Sequence, residues 1–205
     1  MIEQIKKVHY GAEFSERLKN NSKRLTGSFY HPEELLKNKN SEWPGDWTGR
    51  TLLAYVSLWD VTGKNQPYFN PVFDNIKAYT NEYYYFGEVI DENNINEQQL
   101  AGNSWYLRAL CLYYQLTQDE KTKEYINSVM QHLYNPLIAY IEKYPDVIPV
   151  EMTGEMAGGI IRKYGDWRLS SDVGCMYISL DGIAHAYEIT RDKETEKLLH
   201  KMLVK

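Results

Sequence analysis

The phrase Gly-Asp-Trp stands twice in this 205-residue chain, as Gly45-Asp46-Trp47 and Gly165-Asp166-Trp167, with Arg50 and Arg168 close behind the two copies. An indole offers a flat apolar platform, a carboxylate accepts hydrogen bonds or a proton, and a guanidinium donates several bonds in a fixed fork. Together these groups match a polyhydroxylated ligand, and their repetition predicts one shared ligand face. Each copy taken alone also fits a helix start capped by Asp and anchored by Trp. Hydrolysis of a glycosidic bond uses two carboxyl groups flanking the scissile bond. The candidates are Asp46, Asp166, Asp172 and Glu155, with Glu151 beside the last. Asp46 and Asp172 fall at predicted helix N-termini, where the helix dipole favours the ionised form. Glu151 and Glu155 lie among Met152, Met156 and Trp167, an apolar setting that would raise an acid's pKa. The expected ligand-binding set is Trp43, Trp47, Arg50, Asn103, Trp105, Arg108, Trp167 and Arg168.

The elements that must position these residues are helical. Apolar spacing predicts a first helix from Glu3 to Leu25, ended by Gly27, and a strongly apolar one from Thr48 to Val61, closed by Gly63. A more polar helix restarts at Asn70-Pro71 and carries Val72, Phe73, Ile76, Tyr79, Tyr83 and Tyr84. A second apolar helix, Gln98 to Leu116, leads into a charged one from Glu120 to Lys143, which Asn135-Pro136 should bend or break. The last pair is Asp172 to Ile189 and Lys193 to Val204. Leu58 to Gly63, Tyr113 to Gln118 and Ala186 to Arg191 occupy the same place in each pair, the end of an apolar helix and a tight turn. This internal repeat predicts an all-α fold of about seven helices, hairpins of a buried inner helix and a half-solvated outer one arranged as a solenoid or toroid. One long insertion, Tyr144 to Ser171, interrupts it, with a possible strand from Asp146 to Met152. Residues 1–205 read as one domain.

Composition narrows the function. A net charge of -5 without a Lys/Arg stripe argues against nucleic acid as a partner. No apolar segment reaches the length of a membrane span or of a signal-peptide core, so a cytoplasmic location and no membrane partner are expected. Cys111 and Cys175 lack CxxC spacing or neighbouring His and read as buried thiols. The histidines show no ligand spacing, and His185 reads as a satisfied core residue. No metal and no cofactor are expected. There is no G-x-S-x-G elbow, and Gly154, Gly158 and Gly159 are followed by Ile160 and Ile161, where a phosphate-binding loop needs Lys-Ser/Thr.

The stretch Trp43 to Ala54, Trp-Pro-Gly-Asp-Trp-Thr-Gly-Arg-Thr-Leu-Leu-Ala, with its Thr62-Gly63 turn, resembles the opening inner helix of β-L-arabinofuranosidase-like glycoside hydrolases. Gln99 to Thr117, with Ala101-Gly102 ahead of Tyr106-Leu107-Arg108-Ala109-Leu110, is similar to that family's next inner helix. The resemblance implies an (α/α)6 toroid as catalytic domain and an oligosaccharide or other glycan as ligand. The family's nucleophilic Cys, general-acid Glu and zinc-binding Cys cluster lie in the second half of a longer toroid, and nothing here matches them. The expectation is therefore the first half of such a ring, with self-association through its open edge. A helical-repeat domain that docks another protein, without catalysis, is the alternative.

Overall fold

A computed structural model describes residues 11–37, 43–92, 94–146, 162–170 and 175–205. The chain is mostly helical. Three inner helices, α3 (Asp46–Thr62), α5 (Glu97–Thr117) and α7 (Ser179–Thr190), stand side by side with α5 in the middle. Gly49 of α3 lies against Tyr106 of α5 and Trp59 against Tyr113, so the two helices run in the same sense. Ser104 against Ile178 and Gln115 against His185 show the same for α5 and α7. The outer elements α4 (Phe69–Phe73), α6 (Glu120–Val129) and α8 (Lys193–Val204) pack behind their partners, and α1 (Ala12–Arg24) and α2 (Pro32–Leu35) precede the first pair.

Chain direction reverses at three turns built alike. Thr62, Thr117 and Thr190 each donate Oγ1–H to the carbonyl four residues back, at 2.5, 2.7 and 3.0 Å. Gly63, Gln118 and Arg191 then take the left-handed conformation, at φ 68°, 57° and 52°, and their amides return to Trp59, Tyr114 and Tyr187. This closes the helix end with an otherwise orphaned carbonyl. In the second and third turns Asp119 and Asp192 follow and accept the amides of Thr122 and Thr195, capping α6 and α8. In the first turn Lys64 holds that place, and α4 starts only at Phe69.

Two glycines let the inner helices touch. A Cβ on Gly49 would meet the Tyr106 amide nitrogen at 2.5 Å, and one on Gly182 would meet Ser104 Oγ at 2.7 Å and its carbonyl oxygen at 3.0 Å. The core that this closeness creates includes Tyr55, Leu107, Leu110, Ile126, Tyr134, Ile183 and Leu198, all essentially inaccessible to solvent.

Several boundaries differ from the sequence reading. The first helix begins at Ala12, residues 1–10 lying outside the described set. The helix expected from Asn70 through Tyr84 stops at Phe73. Asn75 turns its side-chain amide onto the Pro71 carbonyl, and Asn81 accepts the amides of Tyr83 and Tyr85, so local side chains outcompete the helix. The helix expected to run to Lys143 leaves α geometry ahead of Asn135-Pro136: α6 ends at Val129 and gives way to a π turn at Met130–Tyr134, with a 3-10 turn from Asn135 to Ala139. The last inner helix starts with a 3-10 turn, Cys175–Ile178. The candidate strand within residues 146–152 falls, apart from Asp146, outside the described residues. Strands appear elsewhere, as β1 (Ile95–Asn96), β2 (Arg162–Tyr164) and β3 (Trp167–Leu169) in the order β1-β3-β2, with β3 parallel to β1 and antiparallel to β2.

Candidate functional site

One surface row crosses all three inner helices. Asp46, in the first turn of α3, accepts from Arg50 Nε at 2.9 Å one turn later. The Arg50 guanidinium carbon stands 4.5 Å from the centroid of the Trp105 ring on α5, and that of Arg108 stands 5.4 Å from the same ring. Arg108 Nη1 then donates to Asp181 Oδ2 of α7 at 3.2 Å. One helical turn further on, His185 Nε2 meets Gln115 Oε1 at 3.0 Å. A cleft of about 400 Å³ between Asp60 of α3 and Leu112, Gln115, Leu116 and Gln118 of α5 and its turn adjoins Gln115.

These contacts contribute little to the fold. Exposed ion pairs are worth about 0–1 kcal/mol and a surface cation–π contact about 0.5–1 kcal/mol. Four formal charges are thus gathered round one indole. The Arg50, Arg108, Asp46 and Asp181 charges cancel, leaving one donor–acceptor pair on each side of the indole. Trp105 Nε1 is buried and has no hydrogen-bond partner among the described residues, a state that costs about 1–3 kcal/mol. His185, read from sequence as a core residue, is only partly buried and belongs to this face. Burial holds its pKa below the usual 6.5 against the Glu188 carboxylate, which raises it, and Arg108 acts in the same direction as burial.

The two Gly-Asp-Trp copies are not equivalent. The first opens α3 after left-handed Gly45. The second is the turn of the β2–β3 hairpin, with Gly165 at φ 59°. Trp167 is sealed in the interior: it is 0% exposed, donates Nε1–H to the Tyr140 carbonyl at 3.3 Å and meets the Tyr144 ring edge-on at 4.9 Å. No face of it is open to a ligand, which corrects the expected stacking role. Asp166 pairs with Lys143 at 2.7 Å and Arg168 donates to Asn94 Oδ1 at 3.2 Å, both beside the small sheet. The expected shared face therefore lacks the second copy.

Asn103 is also corrected. It is 0% exposed, accepts the Phe86 amide at 2.8 Å and directs its own amide at the carbonyls of Pro44, Phe86 and Gln99, which pins two loops to α5 and uses up its polar atoms. Trp47 packs between Tyr30, stacked at 5.5 Å, and Phe29, edge-on at 4.5 Å, with Phe29 left 65% exposed. Trp43 is half-buried ahead of α3. Asp172, Glu151 and Glu155 lie outside the described residues.

Sequence reasoning missed one buried group. Glu97, at the first position of α5 and 0% exposed, accepts from Ser170 N at 2.5 Å, Ser170 Oγ at 2.7 Å and Tyr144 Oη at 2.8 Å. Desolvation raises its pKa above 4.5, against hydrogen bonds from Ser170, Tyr144 and the Met176 backbone that lower it. A carboxylate so fully engaged is a latch joining α5, β3 and the turn before α7. A glutamate at a helix start gives no such signal in sequence. Cys111 and Cys175 are buried thiols, and among the described residues no group of three His, Cys, Asp or Glu is placed to hold a metal. Nor, among them, is any helix long and apolar enough to cross a membrane.

Comparison with protein-family models, with curated proteins and with solved structures finds no match to this chain.

Proposed function

We propose that this chain is a helical-hairpin domain that binds an uncharged, polyhydroxylated ligand, a glycan, on the exposed face of α3, α5 and α7. The observation that carries the reading is the row Asp46, Arg50, Trp105, Arg108, Asp181, in which two guanidinium donors flank one indole and each is paired on its far side with a carboxylate acceptor. Vicinal hydroxyls need a donor and an acceptor side by side, and the apolar face of a sugar ring needs an aromatic plane. The side-by-side inner helices and the Trp43 to Ala54 resemblance support the further step, that the layer is part of an α/α toroid of the glycoside hydrolase kind. Hydrolysis itself would draw its second carboxyl from Glu155 or Asp172.

Intrinsic tryptophan fluorescence, titrated with arabinose- and rhamnose-containing oligosaccharides, tests the reading. A saturable change that Trp105→Phe abolishes is expected. An unchanged spectrum across the series contradicts it. The exposed Phe29 beside Trp47 favours a second reading, a protein-docking domain, in which Phe29→Ala and not Trp105→Phe would remove binding.

A further inference from the structure

A second place on the surface has a different chemical character. Between α1 and the turn that follows α3 lies a groove of about 660 Å³, within the usual span of small-molecule sites. Leu18, Val61 and Pro67 give it apolar walls, and serine, threonine and amide side chains intersperse them. Lys19 and Lys23 line it on α1 and Lys64 on the turn after α3, and no carboxylate is among its described lining residues. None of these three ammonium groups has an ion-pair partner among the described residues, although the whole chain carries a net charge of -5. Elsewhere Lys37, Lys143, Lys197 and Lys201 each find a carboxylate, and Lys77, Lys121 and Lys123 stand over tyrosine rings.

Lys64 makes the cluster more than a chance of surface composition. The equivalent position in the other two turns holds Asp119 and Asp192, which cap the next helix. At the first turn a lysine stands where the other two turns carry that carboxylate, and Lys64 lines the groove. No helix starts directly after this turn, α4 beginning only at Phe69, so Lys64 replaces no cap and adds a third lysine to a groove lined by Lys19 and Lys23.

We infer that this groove is a binding site for a small polyhydroxylated oxyanion, a sugar phosphate or sugar acid. The ammonium groups bind the oxyanion, Ser15 and the Asn65 carboxamide oxygen bind ligand hydroxyls, and the apolar walls take the carbon frame. The site is separate from the inner-helix face and stands whether or not that face binds glycans.

The test is amide NMR of the full chain titrated in turn with glucose 6-phosphate, glucuronate, inorganic phosphate and glucose. At least one of the two sugar anions is expected to give saturable shifts confined to residues 15–26 and 61–67, weaker at higher salt as exposed ionic contacts are, while glucose gives none. The phosphate and carboxylate arms identify the oxyanion, and inorganic phosphate alone measures what the frame adds. Lys64→Asp restores the residue of the sister turns, so it should fold, and should bind about tenfold more weakly, the loss of one charged contact. Absence of a saturable shift with either sugar anion overturns the assignment, as do equal shifts with glucose or wild-type binding by Lys64→Asp.

Discussion

Glu97 and Ser170 are joined twice, through the backbone amide at 2.5 Å and the hydroxyl at 2.7 Å, although 73 residues separate them. Burial outweighs these bonds and raises the Glu97 pKa above its ordinary 4.5. The folded chain therefore retains a proton that the unfolded chain releases, and this contribution to stability is full below about pH 4.5 and lost as pH rises through the folded pKa. Glu97→Gln should gain on the wild type as pH rises from about 4 to 8 in urea denaturation. A stability difference that is flat or falls with pH would contradict the assignment.

The three turns predict opposite effects from neighbouring substitutions. Gln118 and Arg191 occupy the left-handed region without being glycine, a strain of about 1 kcal/mol that glycine avoids. Gln118→Gly and Arg191→Gly should each stabilise by up to about 1 kcal/mol. Asp119→Ala and Asp192→Ala should each destabilise by about 1 kcal/mol, through loss of the caps on Thr122 and Thr195. Thermal unfolding of the four variants measures both signs.

At Gly49 the expected change is larger. A methyl group 2.5 Å from the Tyr106 amide meets backbone, not a movable side chain, so α3 and α5 must separate. Gly49→Ala should cost about 1–3 kcal/mol in chemical denaturation, the range of core overpacking. Because Arg50 follows directly, the same variant should also disturb the Arg50–Trp105 stack.

The hairpin turns were legible because their chemistry is local: a threonine that bonds back into its own helix, then a left-handed residue, recurs at Thr62-Gly63, Thr117-Gln118 and Thr190-Arg191. The apolar runs of α3 and α5 were legible for the same reason. The Gly-Asp-Trp signature misled because Gly45 and Gly165 share a left-handed backbone while their sequels differ, a helix in one case and a strand paired with Ile95 in the other. Long-range pairing leaves no mark in a tripeptide. Asn103 looked like a ligand group because polar residues in apolar helices need partners, and its partners proved to be the backbones of Pro44, Phe86 and Gln99. Arg50, Trp105 and Arg108 were each singled out from sequence, but their meeting depends on the close approach at Gly49.

The central claim is that ligand meets the Trp105 face. Indole N–H resonances of the full chain, followed by NMR during titration with a neutral arabinose-containing oligosaccharide, address it directly. The account predicts a saturable shift of the Trp105 signal, diminished in Arg108→Ala, with the buried Trp167 signal unmoved. A Trp105 signal that stays fixed while Trp167 or no indole responds would contradict it.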